Sequence, residues 1–169
     1  MQYVRQAGSD PSFLLKALGE ASGELRHLLE GLRRGVLLIQ GQDPDHGWTL
    51  LGIACHMRDV ELGVYEQIAT IAGHRGEPRI EHVDIDDIPL REDYEDEEED
   101  EVLSEFHYYR RQTAYALWDL GERDWERSGV SPYRGRMSVM EIVRELYRHD
   151  LEHLWQARRM VDNVVAKQR

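Results

Sequence analysis

Apolar side chains recur every three or four residues along four separate stretches of this chain, and no other feature restricts its fold so strongly. That period places them on one face of an α-helix, and such a helix must bury its apolar face against others. The first stretch opens at Ser9-Asp10-Pro11, where a capping side chain precedes a proline whose missing N–H costs nothing at a helix start. Its stripe runs Leu14, Leu18, Ala21, Leu25, Leu28, Leu32, and Gly31 and Gly35 weaken it. The second spans residues 48–73 with the stripe Ile53, His56/Met57, Val60, Val64, Ile68, Ile71. The third begins in the acidic run 92–101 and continues to Arg123. The fourth starts at Ser138, where Ser138-x-x-Glu141 reads as a capping box, and continues to Val165 through Ile142, Leu146, His149, His153, Ala157, Met160 and Val164.

No strand pattern and no internal repeat competes over a comparable length. Four helices joined by connections of unequal length make an all-α four-helix bundle. Residues 75–95, with Gly76, Pro78 and Pro89, form a long connection between the second and third helices. Extended chain covers roughly 3.3 Å per residue, so this connection can span the bundle and let those two helices run parallel. The whole chain, 1–169, reads as a single domain, long enough to bury roughly 70% of its unfolded surface.

Composition narrows the function classes. Hydrophobic residues make up 41% and charged residues 32%, which suits a folded soluble chain. The 33 acidic side chains outnumber the 21 basic ones, for a net charge of −12. A field of that sign repels phosphate backbones, and no Lys/Arg run interleaved with aromatics overcomes it, so nucleic acid is not an expected partner. The single Cys55 rules out an intramolecular disulfide and any Cys-x-x-Cys motif. Residues 1–30 show no signal-peptide pattern, and the longest apolar run, Val36 to Ile39, is far short of a membrane span. The expectation is a cytoplasmic protein without a membrane partner.

Polar residues on the apolar stripes carry the chemistry. His149 and His153 are four apart on the fourth helix, so both rings leave one face, a turn apart, where a plain bundle would place Leu or Ile. Either ring alone is satisfied by a bond to a carbonyl or carboxylate. Two adjacent on one stripe are harder to satisfy, since an unpartnered buried polar group costs on the order of 1–3 kcal/mol. His56 faces inward from the second helix, three residues after Ile53 and four before Val60. Three neutral imidazoles from two helices suit one divalent transition metal, zinc or nickel first and iron or manganese next, with coordination positions left open.

Two motifs carry a family resemblance. The run Trp48-Thr49-Leu50-Leu51-Gly52-Ile53-Ala54-Cys55-His56-Met57-Arg58-Asp59 resembles the start of the second helix in DinB/YfiT-like proteins. His149-Asp150-Leu151-Glu152-His153-Leu154-Trp155-Gln156 is similar to that family's H-D-x-x-H-x-x-Q on its fourth helix, preceded by a matching Gly135 to Ile142 segment. The resemblance implies a metal-binding four-helix bundle, often a homodimer, with His56, His149 and His153 as ligands. It also implies a metal-dependent transferase or isomerase that works with a low-molecular-weight thiol such as bacillithiol or mycothiol. The small-molecule substrate stays open. The alternative is a non-catalytic bundle whose metal is structural, sensed or vestigial.

Other residues carry less. Asp59, three after His56, has two roles open to it: orienting that ring or a bound water as a metal's outer carboxylate, or pairing with a nearby Arg. Asp150 and Glu152 point to other faces than the ligands, toward solvent or the third helix. Cys55 diverges from His56 by about 100° around the helix and is expected to be a buried core residue. The acidic run is expected to stay solvated at a helix start. Tyr108, Tyr109, Tyr115, Trp118 and Trp125 are expected in the core of the third helix. Glu24-x-x-His27 raises a di-iron site, but that architecture needs a second such motif and two more inward glutamates, and His27 misses its stripe.

Overall fold

In the computed structural model, which describes residues 10–41, 47–83, 85 and 92–167, Asp10 opens α1 (Pro11–Leu29) by accepting the Ser12 N–H at 2.9 Å. Leu14, Leu18, Ala21 and Leu25 are buried along its stripe. The helix stops short of Leu32 because Gly31 turns the chain at φ 77°, and Leu32 packs half-buried beside the core. A single helical turn, Arg34–Leu37, follows. α2 (Leu50–Gly73) is capped by Thr49, whose hydroxyl accepts the Gly52 N–H at 2.9 Å. A 3-10 turn (Glu92–Asp96) leads to α3 (Glu99–Trp118), and a second one (Glu122–Glu126) follows it. Two short strands, β1 (Ser128–Ser131) and β2 (Gly135–Ser138), pair antiparallel before α4 (Val139–Lys167). The capping box holds: the Glu141 carboxylate accepts the Ser138 N–H at 2.8 Å and the Ser138 hydroxyl accepts the Glu141 N–H at 3.2 Å.

Three sequence expectations need correction. The third helix ends at Trp118 and not Arg123, because Asp124 accepts the Gly121 N–H at 3.0 Å and opens the 3-10 turn instead. The aromatic residues of this region are not its core. Tyr108, Tyr115 and Trp118 stand exposed, Tyr109 is half-buried, and the buried Trp125 belongs to the 3-10 turn. α3 buries Val102, Leu103, Phe106, Arg110, Thr113 and Leu117. The hairpin was also unexpected: its strands of four residues are too short to show a two-residue period.

Two apolar clusters fill the two ends of the bundle, and their membership gives the helix directions. One holds Leu25 of α1, Leu51 of α2, Leu103 of α3 and Ala157 of α4. The other holds Leu14, Val64, Leu117 and Leu146 from the same four helices. α2 and α3 therefore run parallel, and α1 and α4 run parallel to each other and opposite to them. Pairwise contacts agree: Phe13 meets Tyr147 near the starts of α1 and α4, and Arg158 meets Glu24 at 2.7 Å further along. The chain must cross the length of the bundle between α2 and α3.

That crossing is fastened along its described part. Gln67 of α2 donates to the Glu81 carbonyl at 2.7 Å. Val130 of β1 exchanges backbone bonds with the crossing chain, its N–H to Pro78 O at 2.8 Å and its carbonyl to Ile80 N–H at 3.1 Å. Gly129 makes this approach feasible, since a Cβ there would stand 2.6 Å from an Ile80 methyl. Between the two apolar ends lies a layer of polar side chains, and the histidines belong to it.

Candidate metal centre

The sequence alternation that buries Ile53 and Val60 also turns His56 inward, and the ring is 2% exposed. His149 is 4% exposed on the facing side of α4, and His153 is half-buried one turn on. The three rings meet pairwise with centroids 4.5 to 4.8 Å apart. One nitrogen from each lies within 4.8 Å of the others. His56 Nε2 and His149 Nε2 are 2.8 Å apart. Two ligand nitrogens around one zinc, at bonds of about 2.0–2.1 Å and angles of about 90–109°, stand roughly 2.9–3.4 Å apart, so a small opening of the pair accommodates an ion.

Three observations test the donor set against a metal. The Nδ1 atoms of His56 and His149 are buried without a hydrogen-bond partner, so the rings are not satisfied as ordinary core histidines. Burial, and then the neighbouring His149 and His153, push the His56 imidazole down to about 3. Burial and His149 likewise push His153 down to about 4. Both rings are neutral near pH 7, the form that binds a metal. His153 Nδ1 donates to Gln156 Oε1 at 2.8 Å, which leaves Nε2 as its lone-pair nitrogen. The donor set fits one divalent transition-metal ion.

Trp48 is a site residue that the sequence did not single out by chemistry. Its ring lies 5.2 Å from that of His56 and 5.4 Å from that of His153, so it shields the cluster from the side of the α2 start. Of the two roles open to Asp59, the structure shows the ion pair. Its carboxylate accepts from Arg58 Nε at 2.9 Å and from the Tyr94 hydroxyl at 2.7 Å, while His56 Nδ1 takes no bond from it. Cys55 is fully buried, as expected. The acidic run is docked as well as solvated: Arg58 also reaches Glu97 at 3.1 Å, and Arg34 donates to the Glu97 and Glu95 carbonyls at 2.9 and 2.5 Å. His27 and Glu24 are exposed, which removes the di-iron reading; His46 lies outside the described residues.

A buried ionic cluster adjoins the histidines. Arg110 of α3 holds Asp150 of α4 with two bonds of 2.6 and 3.1 Å and Glu61 of α2 with one of 2.8 Å. Thr113 donates to the other Glu61 oxygen at 2.5 Å. Asp150 thus faces α3, one of its two expected directions, and Glu152 is exposed. Burial pushes the Glu61 carboxyl up. Burial alone would raise Asp150 too, but the Arg110 charge and the bonds around it hold that carboxyl below its ordinary value. The sequence signal for this cluster was weak: Glu61 directly follows Val60 and Asp150 directly follows His149, each one residue past a stripe position. A cavity of about 340 Å³ runs along α4 beside the site, walled by His82, Arg134, Glu145, Arg148, His149 and Glu152.

The comparisons agree with this architecture. Residues 17–157 match the sequence profile of the DinB superfamily. No curated protein matches the chain in sequence. Among solved structures, the chain is similar to YfiT from Bacillus subtilis, described as a probable metal-dependent hydrolase with an unusual four-helix bundle topology. The TM-score is 0.79 at 15% identity, over 91% of this chain and 87% of that one.

Proposed function

The chain belongs to the DinB superfamily, and from that premise we propose that it is a metal-dependent enzyme that transfers or isomerises a small molecule with a low-molecular-weight thiol. His56, His149 and His153 hold one divalent ion. Zinc and nickel suit three neutral nitrogen donors best, and iron and manganese accept them. The observation that carries this reading is the convergence of three imidazoles, with one nitrogen of each within 4.8 Å of the others, beside a polar cavity.

A bound divalent ion supplies Lewis acidity that lowers the pKa of a thiol or water in an open position. The residues around it do the rest. Gln156 fixes the His153 tautomer, Trp48 shields the cluster, and the side chains of the α4 cavity wall receive the substrate. Arg134 and Glu145 in that wall are paired with each other, which leaves Arg148 and Glu152 to contact a charged ligand.

The non-catalytic alternative is less well supported. A structural zinc site is closed by four protein ligands. Among the described residues the histidine cluster contains three ligating groups and no fourth.

Cobalt-substituted protein titrated with small thiols tests the reading. A thiolate-to-cobalt charge-transfer band that grows with thiol supports it. Cobalt bound with a spectrum that no thiol alters overturns the thiol part, and hydrolysis of an ester or amide by that same protein would put a hydrolase in its place.

A further inference from the structure

The layer between the apolar ends carries more charge than three neutral imidazoles require. Arg110 is 2% exposed, Glu61 0% and Asp150 2%. All five of the strong contacts around Arg110 are internal: the two to Asp150, the Nε bond and the Nη2 ion pair to Glu61, and a 2.8 Å bond to the Leu18 carbonyl. Two carboxylates against one guanidinium leave one negative charge in excess. Buried ion clusters add little net stability over apolar packing, so stability does not account for it.

The geometry supplies an account. Asp150 Oδ1, locked by Arg110, stands 3.8 Å from His149 Nδ1, which has no hydrogen-bond partner. In the 2.8 Å contact between the two Nε2 atoms, one ring must carry its proton on Nε2. Ligation through Nε2 forces that proton to Nδ1, and for His149 the waiting acceptor is Asp150. We propose that Asp150, clamped by Arg110, is a positioning residue that orients His149 as a metal ligand, and that with Glu61 it offsets part of the charge of a divalent ion at the three histidines. The proposal rests on the metal reading above. Asp150 acts through His149 and touches no substrate.

The test is zinc affinity of folded protein, measured by competition with a chromophoric chelator. Asp150→Asn keeps the shape and removes the charge and the acceptor; zinc binding is expected to weaken by roughly 10–100-fold, the range typical of outer carboxylates on metal-bound histidine. Glu61→Gln removes the same charge without touching His149 and should weaken zinc less. Asp150→Glu, which restores a carboxylate, should recover part of the loss. A folded Asp150→Asn protein with zinc affinity within about threefold of the parent overturns the proposal, since an outer carboxylate of this kind has a larger effect. If Asp150→Asn does not fold, nitrogen-resolved NMR of the zinc-loaded parent decides. A slowly exchanging, strongly downfield His149 Nδ1–H supports the proposal, and a ring without one overturns it. A parent chain that takes up neither zinc nor, in parallel titrations, nickel or manganese overturns the metal reading and this proposal together.

Discussion

At the scale of single residues, His56, His149 and His153 occupy positions where plain bundle helices carry Leu or Ile, and this has a cost in metal-free protein. Two of the rings leave a buried nitrogen unpartnered, at on the order of 1–3 kcal/mol each. His56→Leu removes one of these nitrogens but takes away the 2.8 Å partner of His149 Nε2 with it, so the apo-protein is expected to melt close to the parent while its response to added metal is lost; a variant that still gains stability from metal would contradict this. The proton balance follows from the same burial. His56 and His153 titrate near 3 and 4 in the fold, against 6.5 ordinarily, so the unfolded chain binds protons that the folded one refuses. The stability tied to these rings is fully present above about pH 6.5 and is lost as pH falls toward 3–4. Melting curves of apo-protein between about pH 4 and 8 should decline on the acid side, and His56→Leu should flatten part of that decline. The histidines were legible in the sequence because a titratable ring on an apolar stripe stands out. Glu61 and Asp150 each lie one residue past a stripe position, and a lone charge there, like Arg110, reads as helix surface until the facing helices are known. Only the fold shows that these three meet.

At the scale of elements, two helix starts were written in local chemistry and were readable: Asp10 and the Ser138–Glu141 box cap as their spacing implies, and the structure adds the Thr49 cap of α2. Helix ends depend on partners remote in sequence. The end of α2 is held by Arg127, which precedes β1 and donates to the carbonyls of Ile71 at 2.7 Å, Ala72 at 3.3 Å and His74. No local pattern announces that contact, because 53 to 56 residues separate the partners. A charged donor on otherwise unpaired helix-end carbonyls contributes roughly 1.5–3 kcal/mol. Arg127→Ala should lower stability by about that much in denaturant titrations and leave metal stoichiometry unchanged, since His56 lies toward the other end of α2. Loss of metal in that variant would mean the hairpin supports the site directly.

At the scale of the whole molecule, the parallel pairing of α2 with α3 requires the long crossing between them, and the sequence allowed that topology without demanding it. The hydrophobic periodicity implies that the helices pack, and it does not carry the order in which they pack. Among the described residues no helix is long and apolar enough to cross a membrane. The bundle brings α2 and α4 together so that one helix gives one imidazole and the other gives two, and the central claim is that this meeting point binds metal. Elemental analysis of protein purified without added metal or chelator tests it most directly. The expected result is about one equivalent of zinc, nickel, iron or manganese per chain, as one three-histidine site implies, lost in His56→Ala and His153→Ala while their helical content persists. Loading below about a tenth of an equivalent that added zinc, nickel or manganese does not restore, or full occupancy in both variants, would contradict it.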